Sequence, residues 1–187
     1  MSKSLGTGIN PMDLIEKYGA DATRFGIAFQ IMGGQDMKFV EDNILMGKKF
    51  CNKIWNASRF VMQKTGNTAL SINHPVEKNL TPADKRILGT LEKVVESTTK
   101  DIENYSFGKA THKLYDFFWH DFCDTYIEIS KKQEDEKTKK ILFYTLTTSL
   151  RLLHPFIPFI TEEIYQQLPV KDKKVSLMIE KWPAVIK

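Results

Sequence analysis

Apolar residues recur along most of the chain at spacings of three and four, which is the period of an amphipathic helix. The clearest stripe lies between residues 41 and 64 and contains Ile44, Gly47, Cys51, Ile54 and Val61. A second stripe extends from Ile87 to Ile102. Both patterns predict long helices that bury one face against neighbouring helices.

Capping signals set several helix boundaries. Asn10 followed by Pro11 predicts the start of a short helix that Gly19 stops. A second helix follows from Asp21. The stretch Thr81-Pro82-Ala83-Asp84 combines a cap, a first-turn proline and a first-turn acid, so another long helix is predicted to begin there.

Further helices are predicted at about 107–131, from Ile141 to Pro155 and at about 161–168, before an extended tail. The charged run Lys131–Lys140 is predicted to connect two of them, and its mixed signs favour a solvated turn over an RNA-binding patch. Long amphipathic helices with little strand content predict an all-α fold, an antiparallel helical bundle.

Composition narrows the class of protein. The chain has 187 residues, 42% of them hydrophobic and 27% charged, which is typical of one globular domain. Its two cysteines are far apart, which argues against a disulfide framework and a zinc site and suits the cytoplasm. No apolar run is long enough for a membrane span, so no membrane contact is expected. The net charge of +4 favours anionic partners only weakly.

A second face of the 41–64 helix has a composition that suits RNA. Its side chains are spaced at i, i+3, i+4 and i+7: Asn52, Trp55, Asn56 and Arg59. An indole or guanidinium plane stacks on an unpaired base, and amides read base edges. Lysines that can meet phosphates flank it: Lys48, Lys49, Lys53 and Lys64. From spacing alone, a solvated outer face with Trp55 at the core edge is the favoured alternative.

The amino terminus offers a second candidate site. Ser2, Lys3 and Ser4 lie in a stretch followed by Gly6 and Gly8. A lysine in such a loop can stabilise charge on departing pyrophosphate when a nucleoside triphosphate reacts. Taken in isolation, a solvated lysine in a polar tail is the favoured interpretation.

The aromatic segment 115–126 raises the question of a His–Asp dyad or of half a zinc site made by His120 and Cys123. The sequence does not supply the other residues that either site requires. A catalytic dyad would need a serine elbow motif, and a zinc site would need a second pair of ligands. We therefore expect a buried, hydrogen-bonded pair of His120 and Asp121 inside an aromatic core.

Several of these segments together resemble the valyl-tRNA synthetases, a family of class I aminoacyl-tRNA synthetases. Met1-Ser2-Lys3-Ser4 is similar to the class I signature loop, and residues 10–25 resemble the segment that follows it. The valine-specific family is suggested by four further stretches, at 34–39, 52–60, 118–123 and 152–163. Thr7 and Thr23 depart from the family pattern.

The resemblance implies roles for the candidate residues and reverses both favoured alternatives. Lys3 would contact the transition state of amino-acid activation and would bind ATP, with Mg²⁺, together with Ser2 and Ser4. The helix face would bind the anticodon arm of tRNA(Val) through Asn52, Trp55, Asn56, Arg59, Lys48 and Lys49. No metal site is implied.

The resemblance also implies a division of the chain. Residues 1–39 would contain the signature loop and linker helices from a catalytic domain. Residues 40–170 would form a helical anticodon-binding domain of the class I type, and 171–187 an extended tail.

The printed sequence contains no nucleotide-binding fold and no editing domain, so we expect part of a valine–tRNA ligase. By itself it is expected to be monomeric and cytoplasmic, to bind no ATP and not to activate valine. A free-standing helical protein-interaction module and the equivalent domain of an isoleucyl-tRNA synthetase are the alternatives.

Overall fold

The computed structural model describes residues 8–31, 39–75 and 79–184. Within these ranges the chain is helical, and its only extended pairing is an isolated parallel bridge between Leu70 and Val170. The helices are α1 (Pro11–Tyr18), α2 (Ala20–Gln30), α3 (Glu41–Thr65), α4 (Pro82–Glu103), α5 (Phe107–Asp116), a π-helical segment (Phe117–Ile127), α6 (Glu128–Ser130), α7 (Glu136–Leu153), α8 (Pro158–Gln167) and a 3₁₀ turn (Leu177–Ile179). The predicted all-α antiparallel bundle is confirmed.

The predicted helix caps form as expected. The Asn10 side chain accepts a hydrogen bond from the Met12 amide at 3.1 Å. Gly19 ends α1 with φ of +95°, an angle that residues other than glycine rarely adopt. Thr81 and Asp84 exchange hydrogen bonds in a complete capping box at the start of α4.

Helix α7 lies at the centre of the bundle. Every residue from 141 to 150 is buried, and α3, α4, α5 and α8 pack around the helix. Two of its buried hydroxyl side chains donate to carbonyls of their own helix, Thr147 to Phe143 at 2.9 Å and Ser149 to Thr145 at 2.7 Å. The Thr145 hydroxyl is buried without a partner among the described residues. These bonds let a helix with several Thr and Ser residues be buried on all sides.

Helices α2 and α3 cross at very short range. A Cβ atom on Gly26 would lie 2.7 Å from the Asn43 carbonyl oxygen, and one on Gly47 would lie 2.6 Å from the Ala22 carbonyl oxygen. Neither position tolerates a larger residue without movement of the backbone. The two helices therefore form one packed unit.

Helix α2 also holds the start of α8. The buried carboxylate of Asp21 accepts the backbone N–H of Phe159 at 3.2 Å and that of Ile160 at 2.7 Å. It thus supplies the cap that Ile157 lacks. With this cap and Pro158 in the first turn, α8 begins three residues before the predicted Thr161. A cap from a distant helix has no local sequence signal.

The expected buried pair of His120 and Asp121 is wrong. The side chain of His120 is 63% exposed and lies 3.4 Å from Asp124, and Asp121 lies 3.8 Å from Arg86. The cause is the π-helical segment, which has more residues per turn than an α-helix. Its buried positions are Phe117, Phe118, Phe122, Cys123, Tyr126 and Ile127. These pairs recur every five and then four residues, which leaves residues 120 and 121 on the outside.

The predicted connection of residues 131–140 is also too long. Asp135 caps α7 by accepting the Thr138 amide at 2.9 Å, and Lys139 pairs with Glu136 at 2.6 Å within the first turn. Helix α7 therefore begins at Glu136 rather than at Ile141, and only residues 131–135 form the connection.

Candidate nucleic-acid interface

The structure brings the four predicted reader residues together on the outer surface of α3. Asn52, Asn56 and Arg59 are exposed, and Trp55 is half-buried. A surface depression of about 920 Å³ is lined by Trp55, Asn56 and Arg59, while Asn52 lies one turn before Asn56 on the same face. The opposite side of the helix, with Ile44, Gly47, Ile54 and Val61, is buried as predicted, and Cys51 is half-buried.

The polar side chains of this face have no partners among the described residues. Neither amide, of Asn52 or Asn56, makes a hydrogen bond there, and the Arg59 guanidinium makes no ion pair. Their donors and acceptors point to solvent in the free protein. A planar ligand with polar edges would therefore gain hydrogen bonds without breaking any within the described part of the protein.

Trp55 matches both interpretations of its position. It packs against the hydrophobic core, and it also forms part of the depression beside Arg59. A ring fixed on one side by the core loses little conformational entropy when a base stacks on its other side. We name the surface of Asn52, Trp55, Asn56 and Arg59 the α3 reader face.

The four flanking lysines have different environments. Lys49 is exposed, while the Lys48 ammonium donates to the Lys17 carbonyl at 3.2 Å and lies 5.9 Å from the Tyr18 ring centre. Lys64 is half-buried. Lys49 is therefore the best placed of the four to meet a phosphate.

Lys53 is occupied within the protein. Its ammonium is 2.8 Å from Asp124 and 5.0 Å from the centre of the Trp119 ring. The hydrogen bond raises the pKa of Lys53 and lowers that of Asp124. The interpretation of Lys53 as a phosphate contact is not supported by this geometry.

Two polar residues that line the depression were not predicted, Gln63 and Gln167. Gln63 lies four residues after Arg59 and so continues the same helical face, a signal available from the spacing. Gln167 ends α8 and reaches the depression through tertiary packing, which the sequence does not reveal.

The two cysteines add no reactive group to this surface. Burial raises the pKa of both Cys51 and Cys123 to about 12, so the thiols are protonated and unreactive at neutral pH. Among the described residues no three His, Cys, Asp or Glu side chains converge on a metal position. Ser2, Lys3 and Ser4 lie outside the described residues. No helix in the described ranges is long and apolar enough to cross a membrane.

A family model for the anticodon-binding domain of tRNA ligase matches residues 84–187. This chain belongs to that family. The matched part begins within α4 and contains the π-helical segment, α7 and α8, which pack against α3. Helices of the matched region therefore pack against α3, which presents the α3 reader face on its outer surface.

Relatives of this anticodon-binding domain are valine–tRNA ligases. The enzyme of Bacillus subtilis strain 168 is 46% identical over 194 residues, covering 100% of this chain. That of Thermotoga maritima is 47% identical over 189 residues, covering 99% of this chain. The chain spans only 22% and 21% of the two enzymes.

Solved structures agree on the fold. The agnB2 LeuRS of Agrobacterium radiobacter K84, solved as a ternary complex with tRNA and LeuAMS, matches 99% of this chain with a TM-score of 0.80 at 20% identity, over 22% of its own length. Methionyl-tRNA synthetase of Mycobacterium tuberculosis with methionyl-adenylate matches 88% of this chain with a TM-score of 0.65 at 21% identity, over 34% of its length.

Proposed function

We propose that this chain is the part of a valine–tRNA ligase that binds the anticodon arm of tRNA(Val). The observation that supports the proposal best is the α3 reader face, where a half-buried indole lies beside exposed amide and guanidinium groups that have no partners among the described residues. Planar groups such as an indole stack on unpaired bases, and amide and guanidinium groups distinguish bases by bidentate hydrogen bonds.

The geometry suits single-stranded rather than double-stranded RNA. Bases in an A-form helix present a deep major groove that side chains do not enter, whereas an anticodon loop exposes unstacked bases. Trp55 would stack on one such base, and Asn56 and Arg59 would reach its edge or that of its neighbour. Lys49 would contact a phosphate of the RNA backbone. Lys48 would make a second such contact if its ammonium exchanged the Lys17 carbonyl for a phosphate.

The remaining steps belong to the longer enzyme. We infer that the parent ligase joins valine to tRNA(Val) with ATP and Mg²⁺, since the similar proteins are valine–tRNA ligases. Lys3, with Ser2 and Ser4, would contact ATP there. Residues 1–39 would join the catalytic domain to the bundle, and the pure 187-residue chain would be a cytoplasmic monomer without ATP–pyrophosphate exchange.

Binding of transcripts tests the proposal. The chain is titrated with tRNA(Val) and with the same tRNA whose anticodon is changed, over a range of salt concentrations. We expect tighter binding to the unaltered tRNA at every salt concentration, and affinity for both that falls as salt rises. Equal affinity for the two tRNAs would contradict anticodon reading. Absence of any tRNA binding would favour the protein-interaction module, and preference for an isoleucine tRNA would favour the isoleucyl family.

A further inference from the structure

A second cavity lies between α2, the end of α7 and the carboxy-terminal tail. Its wall shares no residue with the depression at the α3 reader face. Its volume is about 390 Å³, within the range of about 300–1,000 Å³ of small-molecule sites. The basic side chains in its wall are Arg24, Arg151 and Lys181. An aromatic ring, Trp182, completes the wall.

The basic groups have no carboxylate within ion-pair distance among the described residues. Arg24 donates to the carbonyls of Pro155 at 3.0 Å and Phe156 at 3.3 Å. Arg151 donates to three carbonyls and to the Thr148 hydroxyl. Carbonyls fix both guanidinium groups but do not neutralise them, and each retains at least one free N–H.

The one acid in the wall is already occupied. Glu180 accepts the Tyr165 hydroxyl at 2.6 Å through one carboxylate oxygen. The wall thus contains three basic side chains and one carboxylate. The carboxylates of Asp21 and Glu162 interact electrostatically with Arg24 and His154, but neither residue lines the cavity. Arg24 and Lys181 are exposed and Arg151 is half-buried, so an anion in the cavity would meet the partly buried guanidinium of Arg151, which is costly to leave without a counterion.

The His154 ring in the wall is held in place. Its Nδ1 shares a hydrogen bond of 2.8 Å with the Thr161 hydroxyl, and that hydroxyl also lies 2.8 Å from the Ile157 carbonyl oxygen. Burial lowers the pKa of His154. Its Nε2 atom is buried without a hydrogen-bond partner among the described residues, and a ligand in the cavity does not reach it.

The aromatic wall is held in place. The indole N–H of Trp182 donates to the Thr99 hydroxyl at 2.9 Å, while the ring remains 39% exposed. Leu177, which is buried, and exposed Met178 extend the apolar surface beside it. A fixed, partly exposed ring next to cations is a stacking platform of the kind that binds nucleobases.

From these groups we infer that the cavity is a nucleotide-binding site, distinct from the α3 reader face. The phosphate would lie against Arg24, Arg151 and Lys181, and the base would stack on Trp182. The same chemistry is supplied by a free mononucleotide or by one nucleotide of a single-stranded RNA, and the experiment separates the two sources.

The test uses AMP, adenosine and the trinucleotide ApApA with the full 187-residue chain at low salt, by calorimetric titration. Trp182→Ala and Lys181→Ala are expected to weaken AMP binding by about 5- to 100-fold and by a few-fold, respectively. The matched control Lys171→Ala removes the same charge at an exposed position that is not in the cavity wall. It is expected to change affinity less than about twofold.

Adenosine is expected to bind more weakly than AMP, because it lacks the charge that the cations recognise. Tighter binding of AMP than of ApApA identifies the ligand as a free nucleotide; the reverse order, with the same sensitivity to Trp182→Ala, identifies it as an RNA strand. Absence of saturable binding by both ligands, or equal binding by wild type and Trp182→Ala, overturns the inference. Since neither variant changes the α3 reader face, tRNA selectivity through that face is a separate result.

Discussion

The α3 reader face and the neighbouring π-helical segment contain similar residue types but use them differently. In the π-helical segment the outward carboxylate of Asp124 pairs with His120 of the same segment and with Lys53 of α3. On the α3 reader face, Asn52, Asn56 and Arg59 have no partner among the described residues. Both regions contain a tryptophan beside a basic residue, so composition does not distinguish them. Polar groups without partners indicate binding, and paired polar groups indicate structure.

The comparison predicts that substitutions in the two regions affect different quantities. Changes in the π-helical segment should lower the free energy of unfolding, whereas changes on the reader face should lower tRNA selectivity at constant stability.

Phe118→Ala should have the largest effect on stability. The side chain is fully buried and contacts the rings of Phe50 and Phe122, and truncation leaves a cavity that costs about 3–5 kcal/mol. Urea unfolding monitored by circular dichroism measures the change. Phe159→Ala is the matched control, because Phe159 is 65% exposed. If both variants lose the same stability, the π-helical segment does not form the core described here.

Tyr126→Phe should have a smaller but clear effect. The Tyr126 hydroxyl donates to the buried carboxylate of Asp84 at 2.7 Å, and Asp84 also completes the capping box of α4. Removal of the hydroxyl leaves a buried carboxylate oxygen without its donor, at a cost of about 1–3 kcal/mol. Tyr105→Phe, at a position 80% exposed, controls for the chemical change. Equal unfolding free energies for the two variants would count against the buried bond.

These examples indicate what the sequence can and cannot predict. The boundaries of α1 and α4 were predictable because cap residues and the groups they bind are neighbours in sequence. The start of α8 was not, because its cap is Asp21, more than 130 residues away. Alpha-helical spacing does not predict the π-helical segment, although apolar residues in pairs five and four positions apart stand in the sequence at 117–118, 122–123 and 126–127.

The reader face was only partly predictable. Its members follow from α-helical spacing, since all belong to one helix whose other side is apolar. The engagement of Lys53 by Asp124 and the position of Gln167 depend on which helices become neighbours, and local periodicity contains no such information.

Arg59→Ala should affect binding and not folding. If the guanidinium contacts a base, loss of that contact should reduce discrimination between tRNA(Val) and an anticodon variant by about 1–3 kcal/mol. The unfolding free energy should change by less than about 0.5 kcal/mol, because Arg59 is exposed. The matched control is Arg86→Ala, an exposed arginine near Asp121. A uniform loss of affinity for all tRNAs would assign Arg59 to the backbone instead.

His154 should produce the smallest effect, visible only in the pH dependence. Burial lowers the pKa of His154 in the folded state, so the unfolded chain takes up a proton first as pH falls. Stability is therefore retained above the unfolded pKa of about 6.5 and is lost below it, by at most about 1.4 kcal/mol per pH unit. Unfolding of wild type and His154→Gln from pH 8 to pH 5.5 measures the difference. Parallel curves for the two proteins would contradict a buried, neutral imidazole.

A double-mutant cycle between protein and RNA tests whether the α3 reader face contacts the anticodon. Asn52→Ala, Asn56→Ala and Arg59→Ala are each combined with a change at each anticodon position, and the binding free energies of all combinations are measured. Direct reading of the anticodon predicts a coupling energy of at least about 1 kcal/mol for one or more of these pairs. Additive effects within about 0.5 kcal/mol for every pair, in variants that fold normally, would show that the α3 reader face does not contact the anticodon.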